Sequence, residues 1–352
     1  MEVDEGKLNA LMGRMVGEFG ALASAPLVLL GDRLGLYKAM AGAGPLSAEE
    51  LSERTGLRLR YAQEWLRAQA ASGFVEYDGA AETFTLTPEA AMVLADDESP
   101  TCMVGGFEVL RSMMLDLDKV QKAFASGTGL GWHEHDPCLF SGTERFFRAG
   151  YNANLAPSWI PALDGVAAKL DDGARVADVG CGFGASTIVL AKAFPRSTFV
   201  GYDYHEPSIR AARERAARAG VGDRVRFEVA GAKDYPGSGF DLVAFFDCLH
   251  DMGDPVGAAR HVRESLAEDG TWLLVEPFAN DRLEDNLNPV GRIFYSASTM
   301  VCTPCSLAQE VGAGLGAQAG ERRLREVATA GGFTRFRRAA ETPFNLVFDV
   351  RA

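Results

Sequence analysis

From Leu8 to Met40 apolar residues recur at helical spacing, and Pro26 inside that stretch predicts a break between two helices. At Leu46-Ser-Ala-Glu-Glu50, Ser47 with Glu50 three residues on forms a capping box; it opens a helix that runs to Thr55 and stops at Gly56. The next helix spans about Arg60 to Ser72, with Tyr61, Trp65, Leu66 and Ala70 as its apolar face, and Gly73 ends it. The period then drops to two. Phe74 to Tyr77 and Thr83 to Leu86 alternate around a turn at Asp78-Gly79. Helix, helix and two-stranded wing predict a winged helix-turn-helix unit over residues 1–100, closed by the polar, proline-ended break Asp96 to Pro100.

Residues 101–165 return to helical spacing. Gly105 to Phe124 is helical, Gly127 to Gly131 is a flexible stretch, and Trp132-His-Glu-His-Asp-Pro137 gathers two histidines before helical patterning resumes through Tyr151 to Trp159. Residues 166–352 alternate between the two periods. Short apolar strands at Arg175 to Val179, Ser197 to Asp203, Val225 to Val229, Phe240 to Phe246 and Thr271 to Val275 are separated by helical segments such as Ser186 to Phe194 and Pro207 to Ala219. Phe240 to Phe246, apolar apart from Asp241, reads as a central parallel strand. Asp254-Pro255 starts the helix after it, with the acid as N-cap. A long insertion at about 281–320 reads as lid helices. A helix from Gly320 to Thr329 and two strands, Phe333 to Ala339 and Phe344 to Arg351, close the chain. The alternation predicts an α/β fold behind an α-rich front domain.

The chain has 352 residues, which favours two domains, and 47% hydrophobic content is ample for a core. The net charge of −13 argues against nucleic acid or an anionic membrane as the main partner. Residues 1–100 hold 16 acidic and 8 basic side chains, net −8, which works against Arg58, Arg60 and Arg67 as a phosphate-binding face and favours dimerisation over DNA binding. Met1 to Asn9 is mildly acidic, which predicts no secretory or organellar leader, and the early apolar run Pro26 to Leu30 is too short to span a membrane. Six scattered cysteines suit reduced thiols and a cytoplasmic location. Cys302-x-x-Cys305 has no second pair and reads as packing; His133-x-His135 offers only two ligands, and no metal is assigned.

The densest chemistry lies at Asp178-x-Gly180-x-Gly182-x-Gly184, between a strand and a helix. Helix amides and bare backbone there face a ligand. One residue separates the last two glycines, unlike the two of the dinucleotide fingerprint. Asp203 ends the next strand 23 residues after Gly180, the spacing at which an acid reaches a ribose diol. This pattern resembles the first motif of S-adenosylmethionine-dependent methyltransferases of the Rossmann-like class. The front domain resembles the dimerisation domain of small-molecule O-methyltransferases. The whole looks like bacterial relatives of unassigned substrate.

The resemblance implies a seven-stranded methyltransferase sheet, S-adenosyl-L-methionine as cofactor, a small-molecule methyl acceptor, and a homodimer formed through residues 1–100. It places Asp178, Gly180, Gly182, Gly184, Asp203, Tyr204, Ala232, Phe246 and Asp247 at the cofactor. Gly231 stands where many relatives carry an acid for the adenine amino group, so the Ala232 backbone takes that place. Leu249-His250-Asp251 leaves the carboxyl end of a central strand, and the O-methylating members use such a histidine as general base. Met252 here replaces their usual tryptophan, which leaves the acceptor class open. Glu276 is suited to orient His250, with Asp251 as a second carboxylate. The connector that covers the cleft in this family makes His133, His135 and Tyr151 candidate substrate contacts. Two other readings stay open: a winged-helix regulator that binds S-adenosylmethionine, and a metal-assisted C- or S-methyltransferase.

Overall fold

The computed structural model describes residues 3–352; Met1 and Glu2, where the opening segment read as leaderless begins, lie outside them. The chain divides into two compact units, Met1–Arg111 and Ser112–Ala352, so the division falls within the helix Val104–Leu115.

The first unit opens with one unbroken 29-residue helix, Glu5–Arg33, that carries Pro26 inside it. The expected break is absent because the Ala- and Leu-rich flanks continue helical bonding around a single missing N–H. Only Val28, Leu29 and Gly31 of this helix are buried, and the Trp65 indole N–H donates to the Leu27 carbonyl at 2.9 Å. The Ser47 box forms as read. Ser47 Oγ accepts from the Glu50 amide at 3.2 Å while Glu50 Oε2 accepts from the Ser47 amide at 2.7 Å, and the helix Ala48–Thr55 ends on left-handed Gly56. The following helix, Leu59–Ala71, buries Ala62, Trp65, Leu66 and Gln69. Tyr61, expected on that face, is 79% exposed, because the 62/65/66/69 stripe already fills one side and position 61 lies a full residue step off it. Strands β1 (Glu76–Asp78) and β2 (Thr83–Thr85) pair antiparallel as the wing.

The second unit is built on a seven-stranded sheet. Its strands are β3 (Arg175–Val179), β4 (Thr198–Asp203), β5 (Val225–Val229), β6 (Phe240–Phe246), β7 (Leu266–Pro277), β8 (Arg335–Glu341) and β9 (Asn345–Arg351). They lie in the order β5-β4-β3-β6-β7-β9-β8. The first five pair in parallel, and β9 runs antiparallel to both β7 and β8. Successive residues alternate between two cores. Leu242, Ala244 and Phe246 pack with Ile188, Leu190 and Ile209 on one face. Val243 and Phe245 pack with Ala258, Val262, Leu324 and Val327 on the other. Helices therefore cover both faces, which is why β6 is apolar at nearly every position. β7 begins earlier than its apolar run, at Leu266, because it bonds to Phe240 before a register shift carries Leu242 opposite Thr271. The insertion after β7 is short helical turns, including Pro289–Ala297, a π-turn at Ser298–Cys302, and Thr303–Leu307. Strand order reverses between β3 and β6, and a ligand crevice forms at the carboxyl ends beside such a reversal.

Candidate active site

A cavity of about 480 Å³ opens at those strand ends, within the ~300–1,000 Å³ range of small-molecule sites. Its walls come from the β3 exit (Val179 to Phe183, Ala185 and Ser186), the β4 exit (Asp203, Tyr204), the β5 exit (Ala230 to Asp234) and the β6 exit (Phe246 to Cys248, Asp251, Met252). Trp132, His133, Phe140, Phe147 and Tyr151 add an aromatic side, and Cys305 and Gln309 complete it.

The glycine loop is held by three anchors. The Gly180 and Cys181 amides both donate to the Tyr202 carbonyl, at 2.8 and 3.0 Å, and the Gly182 amide donates to Asp203 Oδ2 at 2.9 Å. Behind the loop, Ser186 and Thr187 hydroxyls both donate to Asp178 Oδ2 at 2.6 Å, fastening the first turn of the helix Ala185–Ala193 to β3. Gly180 has φ +75°, and a Cβ there would lie 2.8 Å from Cys248 Sγ. Gly184 has φ +78°, and its Cβ would meet the Phe227 ring at 2.6 Å. Side chains are thus excluded by packing as well as by backbone conformation.

Asp178 is buried behind this loop and is not among the cavity residues; nor is Gly184, which packs against Phe227. Burial pushes the Asp178 carboxyl up to about 6 against the pull of the two hydroxyls, and its Oδ1 has no hydrogen-bond partner. Asp203 lies in the cavity wall. Its Oδ1 accepts from the His205 amide at 2.8 Å, and burial raises its carboxyl despite both backbone donors. Tyr204 stands beside it, half exposed, with the His133 ring edge-on at 6.5 Å. At the β5 exit the Ala232 position lines the cavity together with Asp234, whose Oδ1 accepts from the Gly231 amide at 3.0 Å. Asp234, which the sequence reading did not single out, puts an acid three residues after Gly231, where many relatives carry theirs.

At the β6 exit, Phe246 and Asp247 line the cavity, and Asp247 has φ +52°, a conformation costly to non-glycine residues and found at functional sites. Its two oxygens accept from Asn345 Nδ2 at 2.8 Å and from the Tyr151 hydroxyl at 3.3 Å. Burial, with the Glu276 charge adding to it, drives the Asp247 carboxyl well above its ordinary value. His250 is buried one layer behind the wall. Its Nδ1 is 2.5 Å from Glu276 Oε2, and its Nε2 is 3.2 Å from Asp251 Oδ1. Burial alone would lower this imidazole, but Asp251 and Glu276 outweigh it and hold the ring well above its ordinary value. Glu276 also accepts from the Leu249 amide at 3.0 Å, so it fixes the turn that carries His250. Glu276, like His250, does not line the cavity; Asp251 does.

The two connector histidines separate. His133 faces the cavity with Tyr151. His135 is buried away from it, with Nδ1 3.0 Å from Asp116 Oδ2 and Nε2 3.7 Å from Cys305 Sγ. The 3₁₀ turn Trp132–Glu134 turns the two rings to different sides.

The sheet order, with its antiparallel final hairpin and glycine loop at the switch point, defines a methyltransferase fold. Residues 170–331 match the family model of a methyltransferase domain, and residues 22–96 match that of an Rv2258c-like winged HTH domain. Over 104 residues it is 36% identical to the 27-O-demethylrifamycin SV methyltransferase of Amycolatopsis mediterranei, covering 29% of this chain and 38% of that protein. The chain spans well under two thirds of the curated relatives it matches, only 5% of the polyketide synthase ThaQ of Burkholderia thailandensis. Solved structures share the fold over nearly the whole chain. The mitomycin 7-O-methyltransferase MmcR superposes with a TM-score of 0.70 at 20% identity, over 99% of this chain and 100% of that one. Human N-acetylserotonin methyltransferase, solved with S-adenosylmethionine, superposes with a TM-score of 0.71 at 15% identity, over 100% and 99%.

Proposed function

We propose that this protein transfers a methyl group from S-adenosylmethionine to a hydroxyl of a small, flat acceptor. The observation that carries the reading is the pairing of the bare backbone of Gly180 and Gly182 with the Asp203 carboxylate in one cavity wall, tied by the bond from the Gly182 amide. A carboxylate accepts from two hydroxyls at once, as a ribose diol requires. Tyr204 offers a ring for the base, and Asp234 and the Ala232 backbone offer acceptors beside it. S-adenosylmethionine would supply an electrophilic methyl group on a sulfonium.

The chain's own part is placement and proton handling. Phe147, Tyr151, Phe246 and Met252 form an apolar wall beyond the loop, suited to hold a flat acceptor in line with the methyl donor. Asp251 is the cavity-facing member of the Asp251–His250–Glu276 group, and its carboxylate takes the acceptor's proton. His250 acts there through Asp251, because both of its nitrogens face carboxylates. Support for a small-molecule acceptor comes from the acidic chain and from the O-methyltransferase relatives.

The first unit gives a homodimer in this reading. Leu8, Leu11, Met12, Met15, Val16, Phe19 and Leu22 are all exposed and recur at helical spacing along Glu5–Arg33. By length and composition alone that helix is apolar enough to cross a membrane. Arg14 and Glu18 fall within the stripe's span, so we assign it to a second copy of the chain. The function is tested by incubating the full chain with S-adenosylmethionine and a panel of hydroxylated aromatic acids and naphthols, reading S-adenosylhomocysteine. Acceptor-dependent release supports the reading; release with duplex oligonucleotides alone would overturn it.

A further inference from the structure

Beside the acceptor end of the cavity, where Asp251 lines the wall, lies a donor set that methyl transfer to a hydroxyl does not by itself require. His250, Asp251 and Cys302 present one ligand atom each, and these atoms all lie within 4.8 Å of one another. We infer that they form a zinc site at the cavity edge, with its open coordination position toward the acceptor. The inference rests on the methyl-transfer reading for its role but not for its existence.

Four observations carry it. First, the spacing nearly suits the ion: ligands ~2.0–2.3 Å from a tetrahedral zinc stand about 3.3–3.7 Å apart. His250 Nε2 and Asp251 Oδ1 are already 3.2 Å apart, so the Cys302 thiol need close by only about 1 Å. Second, Asp251 Oδ1 is buried without a hydrogen-bond partner although an imidazole nitrogen lies within ion-pair reach. A buried carboxylate oxygen needs positive charge beside it, which a protonated His250 or a metal ion in that proton's place supplies. Third, Glu276 Oε2 sits 2.5 Å from His250 Nδ1. Metal-binding histidines typically donate their second nitrogen to a carboxylate, which fixes the tautomer and aims the other lone pair at the ion. Fourth, Cys302 closes the π-turn Ser298–Cys302, and such turns are frequent at functional sites.

Thiolate, imidazole and carboxylate together favour zinc over magnesium or calcium, which prefer oxygen alone. Cys302 would give its thiol proton, and His250 the proton on Nε2, to solvent on binding. Three protein ligands leave one position open, as in catalytic zinc sites. Because Asp251 lines the cavity, that position faces the place assigned to the acceptor. A hydroxyl or thiol bound there would release its proton to solvent and be held as its anion, ready for methylation.

The test uses the full chain purified without chelator. Zinc is measured by mass spectrometry after dialysis, and cobalt is then substituted to look for a thiolate-to-cobalt charge-transfer band. The inference expects about one zinc per chain and a band that is lost in Cys302→Ala and Asp251→Asn, while both variants still bind S-adenosylmethionine as folded protein. Less than a tenth of a zinc per chain, even after incubation with zinc alone, would overturn it. So would a band that survives Cys302→Ala but disappears in Cys305→Ala. Methyl transfer by zinc-free protein would remove the metal and leave the proposed function standing. Stoichiometric zinc without any S-adenosylmethionine binding would do the reverse.

Discussion

Replacing Asp178 by Asn should make stability less dependent on pH. Asp178 lies within the core behind the glycine loop, and its carboxyl is raised from 3.8 to about 6 by burial. A group whose folded pKa is raised binds more protons in the folded state. Its contribution therefore falls as pH rises from the unfolded value through the folded one. The full loss is about 3 kcal/mol, from roughly two pKa units at 1.36 kcal/mol each. About half of that falls between pH ~5 and pH ~8, because the group is already partly committed at the lower end. The amide keeps an oxygen for the Ser186 and Thr187 hydroxyls and carries no charge to desolvate. Whatever Asn costs in shape is the same at every pH. Urea unfolding of the two proteins across this window should show their stability difference moving by roughly 1.5 kcal/mol in favour of Asn at the alkaline end. Parallel curves would refute the reasoning, since they would mean that the Asp178 charge is solvated.

Three further outcomes follow from the site and the first helix. His250→Ala should lower turnover on a hydroxyl acceptor by about 10²–10⁴-fold and leave S-adenosylmethionine affinity nearly unchanged; near-normal turnover would exclude the Asp251–His250–Glu276 group from proton handling. Gly184→Ala should cost about 2–5 kcal/mol in denaturant unfolding, from left-handed backbone plus collision with Phe227, whereas Gly182→Ala, with open space around it, should cost only about 1–2. Leu11→Glu combined with Phe19→Glu should convert dimer to monomer by light scattering with the helical signal retained; an unchanged mass, or wild-type protein that partitions into vesicles, would refute the assignment of the stripe to a second copy.

Much of the catalytic unit was legible because its signals are local. Gly180, Gly182, Asp203 and the β6 exit each sit where one strand ends, and strand ends of a parallel sheet converge on the switch point. His250 and Glu276 end neighbouring strands, so the sheet brings them together over 26 residues of sequence. Contacts made by connections between elements were not legible. Asp116 holding His135 and Cys302 closing on His250 depend on where the connector and insertion pack, and no periodicity encodes that; Asn345 reaching Asp247 depends on how the last strand pairs. Pro26 and Tyr61 misled for a simpler reason: a one-residue signal competes with the register of a whole helix, and the helix prevails.

The central claim is that the Gly180 to Gly182 loop and Asp203 hold S-adenosylmethionine. Isothermal titration of the full chain tests it most directly, with S-adenosylmethionine and NAD titrated separately into wild type and Asp203→Ala. Charge-assisted hydrogen bonds to a ribose diol are worth about 1.5–3 kcal/mol, so the account predicts S-adenosylmethionine binding at one site per chain, much weaker NAD binding, and a loss of about tenfold or more in the variant. No S-adenosylmethionine binding by the wild type, NAD bound equally well, or unchanged affinity in Asp203→Ala would contradict it.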